Sequence, residues 1–480
     1  MSKRRRDPEA DAHRTPARRE FMRRCAALSA AAFTSGVERF VRLTEVAHAQ
    51  APGDYKALVA IFMDGGNDGN NTVVPLDAAG YAAYSAVRAP AGLALAQGTL
   101  LPVTPPSIGQ PFGLHPSLAG LHALWGQQKV AVVANVGPLV QPLTRAQYRS
   151  GVGRPQLLFS HSDQVATWQT SRGDTRSPTG WGGRVADEVR DMNPSGAFPV
   201  VTSLTGTQVF GLGVNTRPLA VSAAPTPLNQ LLVLNGFNTS AEATARRTAM
   251  NDIRGMDRNL VIVDGASDAT QQALDISAAF ANDPVIATVF PNTNIGNQLK
   301  QVAKLIKLNQ TTPALGLRRQ MFFCKFGGFD THSNQPDGQV SLLGDVSQAM
   351  TAFYNATVEM GLAPQVTAFT LSDFGRTLSP SGSGTGVGTD HAWGSHHFVV
   401  GGAVRGGEFY GVPGSNGTVF PTLTLSGPDD TDSRGRWIPT ASVDQYAATL
   451  AQWFGVTVAE LPTAFPLLGR FASNNLGFML

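Results

Sequence analysis

The chain has 480 residues, 42% hydrophobic and only 15% charged, which excludes a coiled coil or a disordered polymer and suits one large α/β domain or two modest ones. Its 51 Gly and 31 Pro follow no repeat, so a collagen-like chain is excluded as well. The net charge of +3 is local: of 37 Lys+Arg and 34 Asp+Glu, the first 49 residues hold 11 and 6, leaving 26 against 28, so the remainder lacks the basic balance that nucleic-acid binding needs.

At the N-terminus, Arg18-Arg19-Glu20-Phe21-Met22-Arg23-Arg24 precedes an Ala-rich run from Cys25 to Phe33, and Ala47-His48-Ala49 offers a cleavage site. This order resembles a twin-arginine (Tat) export signal over residues 1–49. The resemblance implies the Tat translocase as a partner during export and a periplasmic or extracellular location. The apolar run is far below the ~18 residues a membrane-spanning helix needs, and no later segment qualifies, so no stable membrane span is expected. Beyond the signal there is one cysteine, Cys324, which cannot form an internal disulfide and reads as a small buried hydrophobe.

From residue 58 onward, strand-like and helix-like segments alternate. Leu58–Met63 is a continuous apolar run ending at Asp64-Gly65-Gly66. The runs Val130–Val136, Met321–Phe326, Val366–Leu371 and Phe398–Val400 end in the same way, at Gly137, Gly327-Gly328-Phe329-Asp330, Ser372-Asp373-Phe374-Gly375 and Gly401-Gly402. Runs of this kind read as parallel strands buried on both faces. Helix-like stretches such as Leu342–Met360 and Val443–Phe454 lie between or after them. The pattern predicts an α/β sandwich over a largely parallel central sheet flanked by helices, within one domain over 50–480. Residues 205–300, rich in Asn, Thr, Ala and Ser, read as an inserted or capping region, and 379–389 as a flexible loop. In such folds ligands bind beyond the C-terminal strand ends.

The histidines concentrate at those ends. Of nine, His13 and His48 fall in the signal, and five of the other seven sit in three polar motifs: His161, His332, and the group His391, His396, His397. Imidazole nitrogens and carboxylate oxygens on strand ends are what intermediate and hard cations bind. Asp64, Asp330, His332, Asp373, His391, His396 and His397 are therefore the candidate ligands. The competing reading gives each a hydrogen-bonding role in its own loop. His122 reads as ordinary packing and His115 is open. Asn67, Asp68, Asn70 and Asn71 either line a pocket or form Asx turns, the turn reading being preferred for Asn70 and Asn71. The Gly-rich loop after Asp64 lacks the lysine of a P-loop, and no Gly-x-Ser-x-Gly elbow surrounds Ser160 or Ser162.

The motifs Met-Asp-Gly-Gly-Asn-Asp-Gly-Asn-Asn, Leu-Phe-Ser-His-Ser-Asp-Gln, Gly-Gly-Phe-Asp-Thr-His, Ser-Asp-Phe-Gly-Arg-Thr and Gly-Thr-Asp-His-Ala-Trp-Gly-Ser-His-His together resemble the bacterial family called domain of unknown function 1501. That family is in turn similar, in order of parts, to the alkaline-phosphatase-like superfamily of phosphatases, sulfatases and phosphoglycerate mutases. The resemblance implies an alkaline-phosphatase-like sandwich holding one or two divalent ions (zinc, manganese or calcium). It implies Ser162 as nucleophile, with Ser160 second, where the competing reading makes Ser162 a helix cap, and Arg376 as a clamp for phosphate or sulfate, where the competing reading is a surface ion pair. Two departures stand out: Phe374 occupies the place of a metal histidine, and Asp330 and His332 are only two residues apart. The expected function is an exported metal-dependent hydrolase of phosphate or sulfate esters, acting on a small-molecule or polymer substrate. The alternatives are a secreted binding or assembly protein that keeps the fold, and a serine hydrolase without metal.

Overall fold

The computed structural model describes residues 54–194, 198–231, 240–312 and 315–480. The export signal read over residues 1–49 lies outside the described residues. Tyr55–Leu480 forms one compact unit.

The sheet is built from β1 (Lys56–Asp64), β2 (Val130–Gly137), β3 (Val201–Ser203), β4 (Leu219–Ala220), β5 (Arg319–Gly327), β6 (Val366–Ser372), β7 (Ser395–Gly401), β8 (Glu408–Tyr410) and β9 (Ala441–Ser442). Their spatial order is β8-β2-β7-β6-β1-β5-β3-β4, with β9 also paired to β2. Every pairing is parallel except those of β7, which runs antiparallel to both β2 and β6. The expected α/β class with a largely parallel sheet is what the structure shows.

The apolar runs behave as their composition demands. Ala57 to Met63 of β1 are at most 1% exposed, so the strand is covered on both faces. Alternation divides it: Ala57, Val59, Ile61 and Met63 join one core, and Leu58, Ala60 and Phe62 join the other. The first core is closed by α1 (Ala78–Arg88), α2 (Ala119–Gly126), α7 (Asn294–Thr311) and α8 (Gln335–Glu359). The second is closed by α3 (His161–Thr170), α4 (Trp181–Val189) and α9 (Val443–Phe454). Cys324 is fully buried in the first core, and burial pushes its thiol pKa up.

Within 205–300, α5 (Ala241–Gly255) and α6 (Val261–Ala279) pack on each other and bury little: Ala243 on one, Ser267 and Ile276 on the other. The same stretch also supplies β4 at the sheet edge and the start of α7, where Ile295 and Leu299 are wholly buried.

The sheet order decides where the polar motifs meet. β6, β1 and β5 are neighbours and end at the same edge, so Asp373, Asp64 and Asp330 leave from adjacent strand ends. β7 is antiparallel and begins at that edge, which brings the preceding His391 there.

Candidate metal centre

The centre of the site is the Asp330 carboxylate, three residues past the end of β5. Its Oδ1 lies 3.4 Å from His161 Nε2, 3.1 Å from His332 Nε2 and 3.4 Å from His391 Nε2. Donor atoms of His161, Asp330 and His391 all fall within 4.8 Å of one another, and His332 Nε2 adds a contact of 2.9 Å to His391 Nε2. The three contacts to Asp330 Oδ1 are close to the roughly 3.3 Å between ligand atoms of a tetrahedral ion with bonds of about 2.0–2.1 Å, whereas His332 lies outside the mutual 4.8 Å group of His161, Asp330 and His391. The side chains of Asp330 and His332 are 47% and 45% exposed, so the group opens to solvent on their side.

The far nitrogen of each ring faces an acceptor. His391 Nδ1 donates to the Phe159 carbonyl at 2.7 Å, and since a carbonyl only accepts, that nitrogen carries the proton. Burial, with the charges of His161, Arg376 and His332, lowers the His391 pKa against the opposing effect of that carbonyl, which favours the neutral ring with Nε2 as its unprotonated nitrogen. His161 Nδ1 is 2.7 Å from Asp373 Oδ2, and its Nε2 is buried without a hydrogen-bond partner. His332 Nδ1 faces Asp390 Oδ1 at 3.4 Å. Metal-binding histidines are held in this way, one nitrogen on an oxygen acceptor and the other on the ion. Two imidazole lone pairs at 2.9 Å repel unless a proton or a cation stands between them. The orphaned His161 Nε2 and the nitrogen-and-carboxylate chemistry of the group both fit a divalent cation.

The carboxylates are tuned for this arrangement. Burial acts to raise the Asp330 pKa, but the Arg376 guanidinium, at 2.6 Å, together with His332 and His161, lowers it on balance. Asp390 is likewise lowered overall, as Ser381, Arg434 and His332 outweigh its burial. Asp373 is fully buried and raised by desolvation, against the lowering by His161 and the Gly65 N–H. Its Oδ1 accepts from Gly65 N at 2.8 Å and Gly66 N at 3.2 Å. Both glycines need their freedom, with φ of +120° and +90°. A Cβ on Gly65 would sit 2.3 Å from Asp330 N, and one on Gly66 2.5 Å from the Phe374 ring.

Phe374, read in the sequence as a lost ligand, has a different part. Its ring stacks on His391 at 4.6 Å and tilts against His161 at 4.8 Å, so it fixes two of the imidazoles it does not replace. The loop before α3 is strained: Leu157 and Phe159 have φ of +49° and +74°. Such conformations cost about 1–3 kcal/mol each and persist only where the surroundings impose them. Here they aim the Phe159 carbonyl at His391.

The structure thus brings together Asp330, His332 and His391 from the expected set and adds His161, which sequence reasoning left out of the ligands. Asp373 sits behind His161 as its partner. Asp64 pairs with Lys325 Nζ at 3.0 Å and is close enough for its charge to act on Asp373. His396 and His397 do not join the group. They are the second and third residues of β7, so they point to opposite faces of the sheet and into its cores. His396 stacks on Phe420 and accepts from Asn135 N, and His397 packs against Trp168 and Tyr446. Burial lowers both pKa values to about 3. Arg376 is 1% exposed and spent on Asp330 and on the carbonyls of Phe329 and Thr389, which removes it as a free clamp for an anion.

Ser162 faces elsewhere. On α3, Gln164, Val165 and Trp168 pack inward, whereas Ser162, Asp163, Ala166, Thr167 and Thr170 line a separate cavity of about 320 Å³. Ser162 Oγ is 3.3 Å from Ser160 Oγ, and the Ser160 hydroxyl donates to Asp163 at 2.7 Å, so neither serine is held by a histidine base. Asn67, Asp68, Asn70 and Asn71 are at most 4% exposed and brace the loop rather than line a pocket. His115 is buried and caps a short turn through Ser117 N, with a pKa lowered to about 4 by burial, and His122 reaches the Pro102 carbonyl.

Residues 297–419 match the model of a family described as "Protein of unknown function (DUF1501)", which bears out the family resemblance read in the sequence. The matched stretch holds Asp330, His332, Asp373, Arg376 and His391, and His161 precedes it. No curated protein matches the chain. Among solved structures the chain is similar to the PsFucS1 sulfatase from Pseudoalteromonas sp., at 12% identity and a TM-score of 0.30, over 88% of this chain and 72% of that one. It is similar to the phosphonate monoester hydrolase of Agrobacterium radiobacter at 10% identity and a TM-score of 0.29, over 84% and 74%. It is also similar to the alkaline phosphatase of the Antarctic bacterium TAB5 at 10% identity and a TM-score of 0.21, over 72% and 91%.

Proposed function

We propose that this chain is an exported hydrolase of phosphate or sulfate esters working with one divalent metal ion, held by His161, His332, His391 and Asp330. The observation that carries the reading is the convergence of three imidazole Nε2 atoms on one carboxylate while each Nδ1 faces an oxygen acceptor. Three nitrogens and one oxygen suit zinc or manganese better than calcium, which takes six to eight oxygen ligands. Such an ion, when bound, polarises ester oxygens and lowers the pKa of water. The protein's own part is to hold the donors: Asp373, the Phe159 carbonyl and Asp390 orient the three rings, and Arg376 keeps Asp330 ionised. The ester class rests on the resemblance in order of parts, and export through the Tat translocase on the Arg18-Arg19 signal. Among the described residues no helix is long and apolar enough to cross a membrane.

Metal analysis of the exported protein, loaded with zinc or manganese and dialysed, is expected to give one ion per chain. Chelation should abolish hydrolysis of aryl phosphate or aryl sulfate, and the metal should restore it. A protein that retains no ion overturns the reading. One that binds an ion but cleaves neither ester favours the secreted binding protein.

Ser162→Ala tests the covalent step. Because the hydroxyl lines a cavity on another face of α3, the variant is expected to keep its metal and its kcat within about twofold. A loss of more than about tenfold in kcat with metal retained would restore Ser162 as nucleophile.

A further inference from the structure

Arg436 lies outside the ligand group and outside the family-matched stretch, yet two of the rings depend on what it touches. Its Nε donates to the His391 carbonyl at 2.8 Å, and its guanidinium carbon stands 4.9 Å from the centre of the Phe159 ring. Phe159 is the strained residue whose carbonyl takes the His391 Nδ1 proton, and it lies two residues before His161. One guanidinium therefore grips both ends of the bond that fixes the His391 tautomer. The grip is anchored in turn. Arg436 pairs with Asp432 at 2.6 Å, and its backbone N–H donates to Asp430, a fully buried carboxylate that also accepts from the N–H groups of Ser426, Asp432 and Gly435. Arg436 itself is 21% exposed, so its side chain is accessible to replacement without opening a core.

We infer that Arg436 is the positioning residue of the metal centre: by clamping Phe159 and His391 it holds the loop 157–160 in its strained path and keeps the His391 Nε2 lone pair aimed at the ion. This rests on the proposed metal reading. Arginine is suited to the task because a planar fork donates at its edge while its face lies on an aromatic ring. Lysine has the charge but not the fork. Partners that orient a ligand from outside typically govern 10- to 100-fold in metal affinity.

The test is zinc affinity of the whole exported chain, measured by competition with a chromophoric chelator, for wild type, Arg436→Gln and Arg436→Lys. Arg436→Gln is expected to weaken zinc about 10- to 100-fold with stoichiometry still at one, and Arg436→Lys to recover only part of the loss. A merely structural role would lower the thermal midpoint of the metal-free protein without changing the affinity of the folded fraction. Affinities equal to wild type in both variants overturn the clamp while leaving the metal reading intact. Absence of zinc binding in wild type overturns both. Where Arg436→Gln fails to fold, Arg436→Lys decides alone: affinity weakened at least several-fold supports the clamp, and unchanged affinity overturns it.

Discussion

His161→Ala is expected to lose metal almost completely, with apparent affinity falling by more than about 100-fold, beyond the loss typical of an outside partner. The ring supplies one of the four proposed donors, and its Nε2 is buried without a hydrogen-bond partner. The substitution also takes one contact from Asp373, which keeps Gly65 N and Gly66 N, so a stability loss of about 1–3 kcal/mol accompanies it. The informative comparison is His396→Ala. That ring is buried between Phe420 and Asn135 and touches no ligand. Its removal leaves a cavity and is expected to destabilise the protein by about 2–4 kcal/mol while metal content stays at one ion per chain. Both variants should therefore unfold at lower temperature, and metal analysis separates them: His161→Ala loses the ion and His396→Ala keeps it. Full metal retention in His161→Ala would remove His161 from the site and leave only two imidazoles near Asp330.

The contrast between these histidines shows what could be read from the sequence. The buried strands were legible because their apolar runs are continuous and stop at Gly and Asp, and β1, β5 and β6 begin within two residues of the expected starts. That their ends form one edge followed from the parallel pattern. The error over His396 and His397 came from the start of β7, read at Phe398 and found at Ser395. Three residues of shift convert a loop of exposed ligands into a strand whose successive side chains enter opposite cores. His161 stands in the sequence among the clustered histidines but not among the expected ligands, because the order of parts puts a nucleophile at its neighbours Ser160 and Ser162. The apolar Leu157-Leu158-Phe159 run, strand-like in sequence, is a turn with Leu157 57% exposed and with Leu157 and Phe159 at positive φ, so it gives no signal for the place of the His161 ring. Nothing in the sequence marked Lys325 as the partner of Asp64, since that pairing depends on the register between β1 and β5.

Arg88→Ala is the other substitution with a large expected effect, on stability rather than on metal binding. The loop after β1 carries Gly65 and Gly66, whose N–H groups hold Asp373, and the loop is in turn anchored by Asp68. The Asp68 carboxylate meets Arg88 at 2.6 Å and 3.0 Å, and the two side chains are 1% and 0% exposed. Arg88 also donates to Asn71 at 2.6 Å and to the carbonyls of Thr377 and Leu378, tying the loop to the segment after Arg376. Gln335 and the Asn70 N–H complete the shell of Asp68. Truncating Arg88 leaves a buried carboxylate without its counter-charge and takes a donor from the two backbone carbonyls of Thr377 and Leu378. Breaking a buried pair from one side costs about 3–5 kcal/mol, far more than an exposed pair, because the remaining charge stays desolvated. The expected result is a fall in the denaturant midpoint corresponding to that range. Arg88→Ala/Asp68→Asn should recover part of it, since the amide still accepts from Asn70 N and no longer carries charge. A loss below about 1 kcal/mol in Arg88→Ala would mean that water reaches Asp68 and that the loop does not depend on this pair.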